Sequence, residues 1–146
     1  MVGIGSSNLF GEYLANQLVK MGLLGGTSQT PHTIYSLIDQ SKKDTVLFLI
    51  SESGETREVI KAASIAKEHD MPIIAMTRMA KNTLHSFADL ILKTVSFVTE
   101  TRLNVTTMRC SQLYLIDALY LNIMKSNFNK FSKMIERAEL LSDRKL

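Results

Sequence analysis

Several features that would place a protein outside the ordinary globular class are missing from this chain of 146 residues. It has one cysteine, Cys110, which excludes an internal disulfide and leads us to expect a reducing, cytoplasmic location. The longest apolar runs, such as residues 46–50, have about five residues, whereas a membrane span needs roughly 20. No charged-then-apolar leader opens the chain, so nothing suggests secretion. With 45% hydrophobic and 21% charged residues, the composition indicates one globular domain with its own core.

An excess of positive charge is missing from most of the chain, although the formal net charge is +3. Of the 17 basic and 14 acidic residues, six and three lie in residues 125–146, which leaves eleven of each in residues 1–124. Apolar residues recur in this tail at the spacing of a one-faced helix, namely at Phe128, Phe131, Met134, Ile135, Ala138 and Leu141. We interpret residues 126–146 as an amphipathic helix that packs on the domain or on a partner subunit. A basic stripe for DNA is the alternative, but no aromatic platform or DNA-reading motif accompanies it.

Short apolar runs alternate with longer helical patterns in the rest of the chain. We predict strands over residues 1–4, 46–51, 72–76 and 90–95. We predict helices over residues 9–21, 55–69, 83–88 and 106–124. The spacing also calls for a strand and the start of a helix in residues 23–36, although Gly25, Gly26 and Thr27 are poor strand material. Such short connections indicate parallel βαβ units, and hence an α/β fold with a doubly wound parallel sheet between two layers of helices.

In this architecture, ligands bind at the carboxyl ends of the strands. The first such loop, residues 3–8, lacks the third glycine of a dinucleotide fingerprint, because Asn8 stands there, and it also lacks the lysine of a Walker loop. It retains a glycine turn into a helix N-terminus, with the hydroxyls of Ser6 and Ser7 beside the exposed amides. Such a turn binds anions, although glycine-rich turns also arise for packing alone.

The second loop, residues 51–56, is richer in polar groups. Three hydroxyl residues lie around Gly54, which lets backbone amides turn toward a ligand, and they are Ser51, Ser53 and Thr56. The next helix adds the positive end of its dipole. Alternatively, Ser53 or Thr56 is a helix cap, with Glu58 or Glu55 completing a capping box, which explains one hydroxyl but not three.

The two loops follow strands that we expect to be neighbours, so both can close on one phosphate. Neutral hydroxyls and amides without a lysine suit a phosphomonoester on a small polar molecule. They do not suit a triphosphate with a metal ion, and we expect neither a metal nor a cofactor.

These motifs resemble the sugar isomerase (SIS) domain, a family that binds phosphosugars. Residues 51–56 match its SxSGxT signature, and residues 3–7 match its first phosphate loop. Residues 84–90 resemble its LAD stretch. Residues 109–119 and the Pro31-His32 stretch look like the SIS domains of RpiR-type (MurR/RpiR family) bacterial transcription regulators.

The resemblance implies a three-layer α/β/α sandwich with a five-stranded, flavodoxin-like parallel sheet over residues 1–125. It implies that the phosphate is bound by loop hydroxyls and by groups beside them, at Ser6, Ser7, Ser51, Glu52 (through its amide), Ser53 and Thr56. It also implies a homodimer or homotetramer with a phosphorylated sugar as ligand and no membrane partner.

RpiR-type regulators bind DNA through an N-terminal helix-turn-helix domain, and we find no such domain in this sequence. We therefore expect the effector domain of a longer regulator, in which a bound sugar phosphate modulates DNA binding by the missing domain. The alternative is an aldose–ketose sugar-phosphate isomerase, with Glu100 as the base and His32 or His85 as its partner. Against this alternative, Glu100 and His32 would only contact sugar hydroxyls, and His85 would be a surface residue.

Overall fold

The computed structural model describes residues 1–42, 44–95 and 104–142. Four strands are present in these ranges: β1 (Val2–Gly3), β2 (Leu47–Ile50), β3 (Ile73–Arg78) and β4 (Leu90–Thr94). Five α-helices are present: α1 (Ser6–Lys20), α2 (Pro31–Asp39), α3 (Arg57–Glu68), α4 (Asn104–Ser126) and α5 (Phe128–Ser142). A 3-10 turn, Thr83–Ser86, precedes β4. The chain thus alternates strands and helices as its hydrophobic pattern predicts.

The strands form one parallel sheet in the order β1-β2-β3-β4. On the free edge of β1, Val2 forms a single parallel bridge with Ser28. Among the described residues this bridge is all that represents the fifth strand predicted in residues 23–36, because glycines there disfavour extended pairing. The Ser28 segment follows β1 in the chain and lies on the opposite side of β1 from β2. The connections therefore reverse direction between β1 and β2, as in a flavodoxin-like sheet.

The sheet separates two hydrophobic clusters, which makes the fold a three-layer α/β/α sandwich. Alternate residues of β2 point to opposite faces, so that Leu49 packs toward α2 and α3 while Phe48 packs toward α1 and α4. All four residues of β2 are buried. A strand covered on both faces is expected to be continuously apolar, which is why this strand was readable from the sequence.

The two C-terminal helices lie on the α1 side of the sandwich. In α4, Ile116 is buried, but Leu113, Tyr114 and Leu121 are exposed on the outer side. Helix α5 contacts α4 and α1 and buries Phe131. The tail helix therefore packs on its own domain, and a contact with a partner subunit stays a prediction. Across the described ranges, none of the helices combines the length and apolar character that crossing a membrane requires.

Asp89, in the LAD stretch, fastens β3 at its start. One carboxylate oxygen accepts a hydrogen bond of 2.7 Å from the Ile73 amide, and the other lies 2.7 Å from the Lys67 ammonium. These contacts hold the pKa of Asp89 below its usual range, with the Lys67 hydrogen bond as the larger cause. Asp89 thus joins α3, β3 and the start of β4.

Candidate functional site

The two candidate loops leave neighbouring strands at the same edge of the sheet. Gly3 of β1 pairs with Ile50 of β2, so loop 1 (residues 4–8) and loop 2 (residues 51–56) begin side by side. Adjacent strands lie about 4.8 Å apart, and loops leaving them can touch a common phosphate. The site therefore lies at the switch point of the sheet, where this class of fold binds its ligands.

Loop 1 is a short glycine turn that places α1 close against β1. Gly5 has φ 60° and ψ −130°, a conformation that side chains disfavour, and it is the N-cap of α1. A Cβ at Gly3 would lie 2.8 Å from the Ser7 carbonyl carbon, so the first turn of α1 can approach β1 only over a glycine. The helix begins at Ser6 rather than at residue 9 as predicted, because the turn is complete at Gly5.

The early start of α1 puts both predicted serines in its first turn. Ser6 is exposed and Ser7 is half-buried, and this turn contains no acidic residue. The Ser7 and Asn8 amides already donate to the Ile4 and Gly5 carbonyls, at 3.3 and 3.1 Å. This leaves the Ser6 amide at the positive end of the helix dipole, where it can attract an anion.

Asn8, which replaces the third glycine of a dinucleotide fingerprint, has a structural role. It is buried, its Oδ1 accepts a hydrogen bond of 2.6 Å from Thr27, and its Nδ2 donates to Glu12 at 2.5 Å. Asn8 thereby fastens the segment that bridges to β1. This position is therefore used to hold the sheet edge and not to admit a dinucleotide.

Loop 2 is organised around the buried hydroxyl of Ser51. Its Oγ accepts a hydrogen bond of 3.2 Å from the Gly54 amide and lies 2.9 Å from Thr56 Oγ1. If Ser51 donates its proton to Thr56, the Thr56 proton is available to a ligand. Ser53 Oγ accepts from the Glu55 amide at 3.1 Å, which leaves the Ser53 proton available as well. The loop can therefore present two hydroxyl donors.

The capping interpretation of these hydroxyls is wrong. Thr56 is the N-cap of α3 by its backbone, but its side chain makes no capping hydrogen bond because it pairs with Ser51. Glu55 does not close a capping box. Its carboxylate instead accepts bonds of 2.7 Å from both the amide and the hydroxyl of Thr83, which lower its pKa.

The loop after β3 supports loop 2 from behind, a contact that no sequence pattern predicts. Gly54 has φ 67°, its carbonyl accepts from the Leu84 amide at 3.1 Å, and a Cβ there would lie 2.8 Å from Asn82 Cβ. Asn82 is buried, and its Nδ2 donates to Thr77 Oγ1 at 3.1 Å and to the Ala80 carbonyl at 2.9 Å. The rule that ligands bind after the strands pointed to this loop, but no motif marked Asn82.

Glu52 contributes more than the amide predicted for it. Its carbonyl accepts from the Arg78 amide at 3.1 Å and from Thr77 Oγ1 at 3.2 Å. Its carboxylate reaches across to β4, where Oε2 accepts a bond of 2.9 Å from Thr94. Glu52 therefore braces loop 2 against both remaining strands.

The structure places the residues predicted for the sugar end of the ligand, or as partners of the base, in different surroundings. His32 is exposed in the first turn of α2, which follows Ser28 and so starts at the same edge of the sheet. Glu100 lies outside the described residues. His85, predicted to be a surface residue, is half-buried, with its Nε2 3.2 Å from Asn82 Nδ2 behind loop 2.

A metal site and an apolar cavity are the other kinds of site to consider in the part of the chain that the structure describes. There, no three His, Cys, Asp or Glu side chains are grouped so that they could hold a metal ion. A cavity of about 810 Å³ lies at the amino-terminal edge of the sheet, bordered by apolar residues such as Leu14, Leu37 and Val46. It is at the opposite end of the strands from both loops, so it is separate from the candidate site.

Comparison with known proteins agrees with this geometry. Residues 1–122 match the SIS domain family. The Vibrio vulnificus NanR protein complexed with ManNAc-6P superposes with a TM-score of 0.89 at 23% identity, over 97% of this chain and 54% of that one. This chain therefore spans about half the length of that relative.

Two further structures are similar. The sugar isomerase domain of an RpiR transcription factor from Sphaerobacter thermophilus gives a TM-score of 0.82 at 16% identity, over 94% of this chain and 75% of that one. A Methanococcus jannaschii protein, whose structure infers a molecular function of 3-hexulose-6-phosphate isomerase, gives 0.71 at 28% identity, over 93% of this chain and 73% of that one. With the family match over most of its length, the chain belongs to the SIS domain family.

Proposed function

We propose that this chain is the phosphosugar-sensing effector domain of a transcription regulator. The observation that carries the proposal is the pairing of loops 1 and 2 at the switch point of the sheet. Between them they offer hydroxyl protons and helix amides, and neither loop contains a lysine or arginine. A phosphate monoester held by such neutral donors is released readily, as a sensor requires.

The sugar-phosphate part of the proposal rests on the donor set. In loop 2, the Thr56 hydroxyl is paired with Ser51 and the Ser53 hydroxyl accepts from the Glu55 amide, so each can keep a proton for the ligand. Loop 1 adds the hydroxyls of Ser6 and Ser7 and the Ser6 amide at the start of α1. We propose these groups as the phosphate ligands, with His32 and Glu100 at the sugar end.

The regulatory part is supported by likeness to the regulators. The two structures with the TM-scores of 0.89 and 0.82 are NanR, which is complexed with ManNAc-6P, and an RpiR transcription factor. Residues 1–124 carry no net charge, which argues against broad DNA contact through this domain. We propose that DNA is bound by a different domain, N-terminal to this one.

Self-association would carry the signal between the domains. Helix α4 exposes Leu113, Tyr114 and Leu121. It is also bonded to α1, because Tyr13 of α1 donates a 2.9 Å hydrogen bond to Asp117 of α4. Because α1 begins at loop 1, phosphate binding acts on a helix that is fastened to α4. We propose a homodimer or homotetramer whose arrangement depends on the ligand, which requires different affinities in its two states.

The binding proposal is tested by titration calorimetry with ManNAc-6P and a panel of sugar monophosphates. Ser53→Ala combined with Thr56→Ala removes both hydroxyl donors, and we expect the affinity to fall at least 100-fold, since each hydrogen bond to a charged group contributes about 1.5–3 kcal/mol. Thr56 makes no side-chain cap, so α3 should keep its stability.

Ser36→Ala, an exposed position on α2, is the matched control and should bind as the unaltered chain does. Unchanged affinity in the double variant would refute the site. The regulatory part is tested on the full-length product, whose affinity for DNA should change when the bound sugar phosphate is added; no change would refute it.

A further inference from the structure

A second set of polar groups lies at the carboxyl edge of the sheet, on the side of β4. The Glu52 side chain leaves loop 2 and reaches Thr94, the last residue of β4, through a hydrogen bond of 2.9 Å. The backbone of Glu52 is held from β3 by Thr77 and Arg78. The carboxylate is thus fixed beside the phosphate loop, on the side facing away from loop 1.

Some polar atoms in this region have no partner among the described residues. Glu52 Oε1 is buried and receives no hydrogen bond. The Gln112 side chain is 0% exposed, and neither its Oε1 nor its Nε2 has a partner. Gln112 follows Ser111, whose Oγ accepts a 2.9 Å bond from the Val95 amide at the end of β4. Gln112 thus stands on α4 next to the residue that contacts the end of β4, the strand end that Glu52 also reaches.

The hydrogen bond with Thr94 does not by itself require a carboxylate at position 52. A glutamine at position 52 would accept the Thr94 hydrogen bond equally well, without placing a negative charge beside a phosphate site. Like charges at short range oppose binding, and a buried polar atom without a partner is unfavourable. Both features become favourable if a ligand supplies polar hydrogens near the end of β4.

We propose that Glu52 and Gln112 determine which phosphate esters bind. Their acceptor oxygens take hydroxyl or amide hydrogens of the sugar, while Gln112 Nε2 donates to a sugar oxygen. The preferred ligand class is thus an uncharged polyhydroxylated monophosphate. Sugar acid phosphates and bisphosphates are disfavoured, since their second anion would face Glu52. This inference rests on the proposed function, because it needs the phosphate to lie in loops 1 and 2.

The first test compares Glu52→Gln with the unaltered chain by calorimetry. The probes are inorganic phosphate, 6-phosphogluconate, and a panel of neutral sugar phosphates that contains ManNAc-6P, glucose 6-phosphate and fructose 6-phosphate. We expect the affinity of the best neutral sugar phosphate, relative to inorganic phosphate and to 6-phosphogluconate, to fall about tenfold in Glu52→Gln. A change of this size is typical of a lost hydrogen bond to a charged group. Glu58→Gln, which removes the same charge in the first turn of α3, is the control and should keep both preferences.

The outcomes separate the two proposals. If no probe binds, inorganic phosphate included, the proposed function itself is wrong. If the probes bind but the sugars are no better than inorganic phosphate, or if Glu52→Gln leaves the preferences within twofold, only the present inference is overturned.

Gln112→Met gives a second test that does not depend on charge. Methionine fills a similar volume without an amide, so a glutamine that has no partner in the free chain can be replaced without loss of stability. We expect an unchanged or higher thermal midpoint together with a several-fold weaker preference for the sugar phosphate. A lower midpoint with unchanged preference would make Gln112 a structural residue and overturn its role here. Gln40→Met, at an exposed position after α2, is the control.

Discussion

Loops 1 and 2 leave adjacent parallel strands toward the same ligand, yet they are built differently. Loop 2 is held by its own side chains and by the loop after β3, through the Ser51 hydroxyl, the Gly54 carbonyl and the Glu55 carboxylate. Loop 1 is a glycine turn whose serines lie in the first turn of a helix. The difference indicates that loop 2 is preorganised for an anion, whereas loop 1 completes the site with the Ser6 amide and the hydroxyls of its two serines.

The largest expected effect comes from adding a side chain to each glycine turn. Gly54→Ala brings a Cβ to 2.8 Å from Asn82 Cβ at a positive φ, so we expect a loss of about 3 kcal/mol in unfolding free energy and no ligand binding. A Cβ at Gly5 meets nothing within 4 Å, and Gly5→Ala should cost only its backbone strain, about 1–2 kcal/mol. Denaturant unfolding measures both, and equal losses would contradict the claim that only loop 2 is packed from behind.

Removing one serine from each loop separates binding from stability. Ser51→Ala deletes a buried acceptor and leaves the Gly54 amide without that partner, so we expect about 1–2 kcal/mol of lost stability together with weaker ligand binding. Ser7→Ala should weaken binding with a stability change below about 0.5 kcal/mol, which is usual for sites without buried partners. If both variants lose the same affinity in calorimetry and the same free energy of unfolding, the proposed difference between the two loops is wrong.

The smallest expected effect is a pH dependence of the free energy of unfolding that arises from Glu55 in loop 2. The hydrogen bonds from Thr83 lower the pKa of Glu55 below its ordinary value of 4.5. A carboxyl whose pKa is lower in the folded state stabilises the fold above its ordinary pKa, and that contribution is lost as the pH falls from about 4.5 through the folded-state value.

Glu55→Gln should therefore flatten the acid limb of the stability curve, as measured by unfolding between pH 7 and pH 3. Loop 1 has no acidic residue in its helix turn, and its variants should leave this limb unchanged. An acid limb unaffected by Glu55→Gln would show that the contact with Thr83 does not hold loop 2.

The sequence predicted the parts of the fold that depend on local patterns. The apolar run of β2 and the glycine–hydroxyl motifs could be read because each is complete within a few residues. The sequence also predicted that the two loops lie side by side, because adjacent parallel strands end at the same edge of the sheet. The start of α1 was missed by three residues, since the pattern of apolar residues begins only after its first turn.

The supporting contacts could not be predicted because their partners are far apart in the chain. Glu55 bonds Thr83 across 28 residues, and Glu52 bonds Thr94 across 42. The Thr56 hydroxyl had a local alternative, the helix cap, and only the position of Ser51 decides against it. The bridge at Ser28 could not be predicted for the same reason, because it depends on Val2 of β1, which is far from Ser28 in the chain.

The most direct test of the central claim, that both loops bind one phosphate, is an NMR titration of backbone amides with the sugar phosphate found by calorimetry. Amides of residues 5–8 and of residues 52–57 should shift together and give one dissociation constant. Inorganic phosphate should shift the same two groups at higher concentration. Shifts confined to one loop, or two different dissociation constants, would contradict the account.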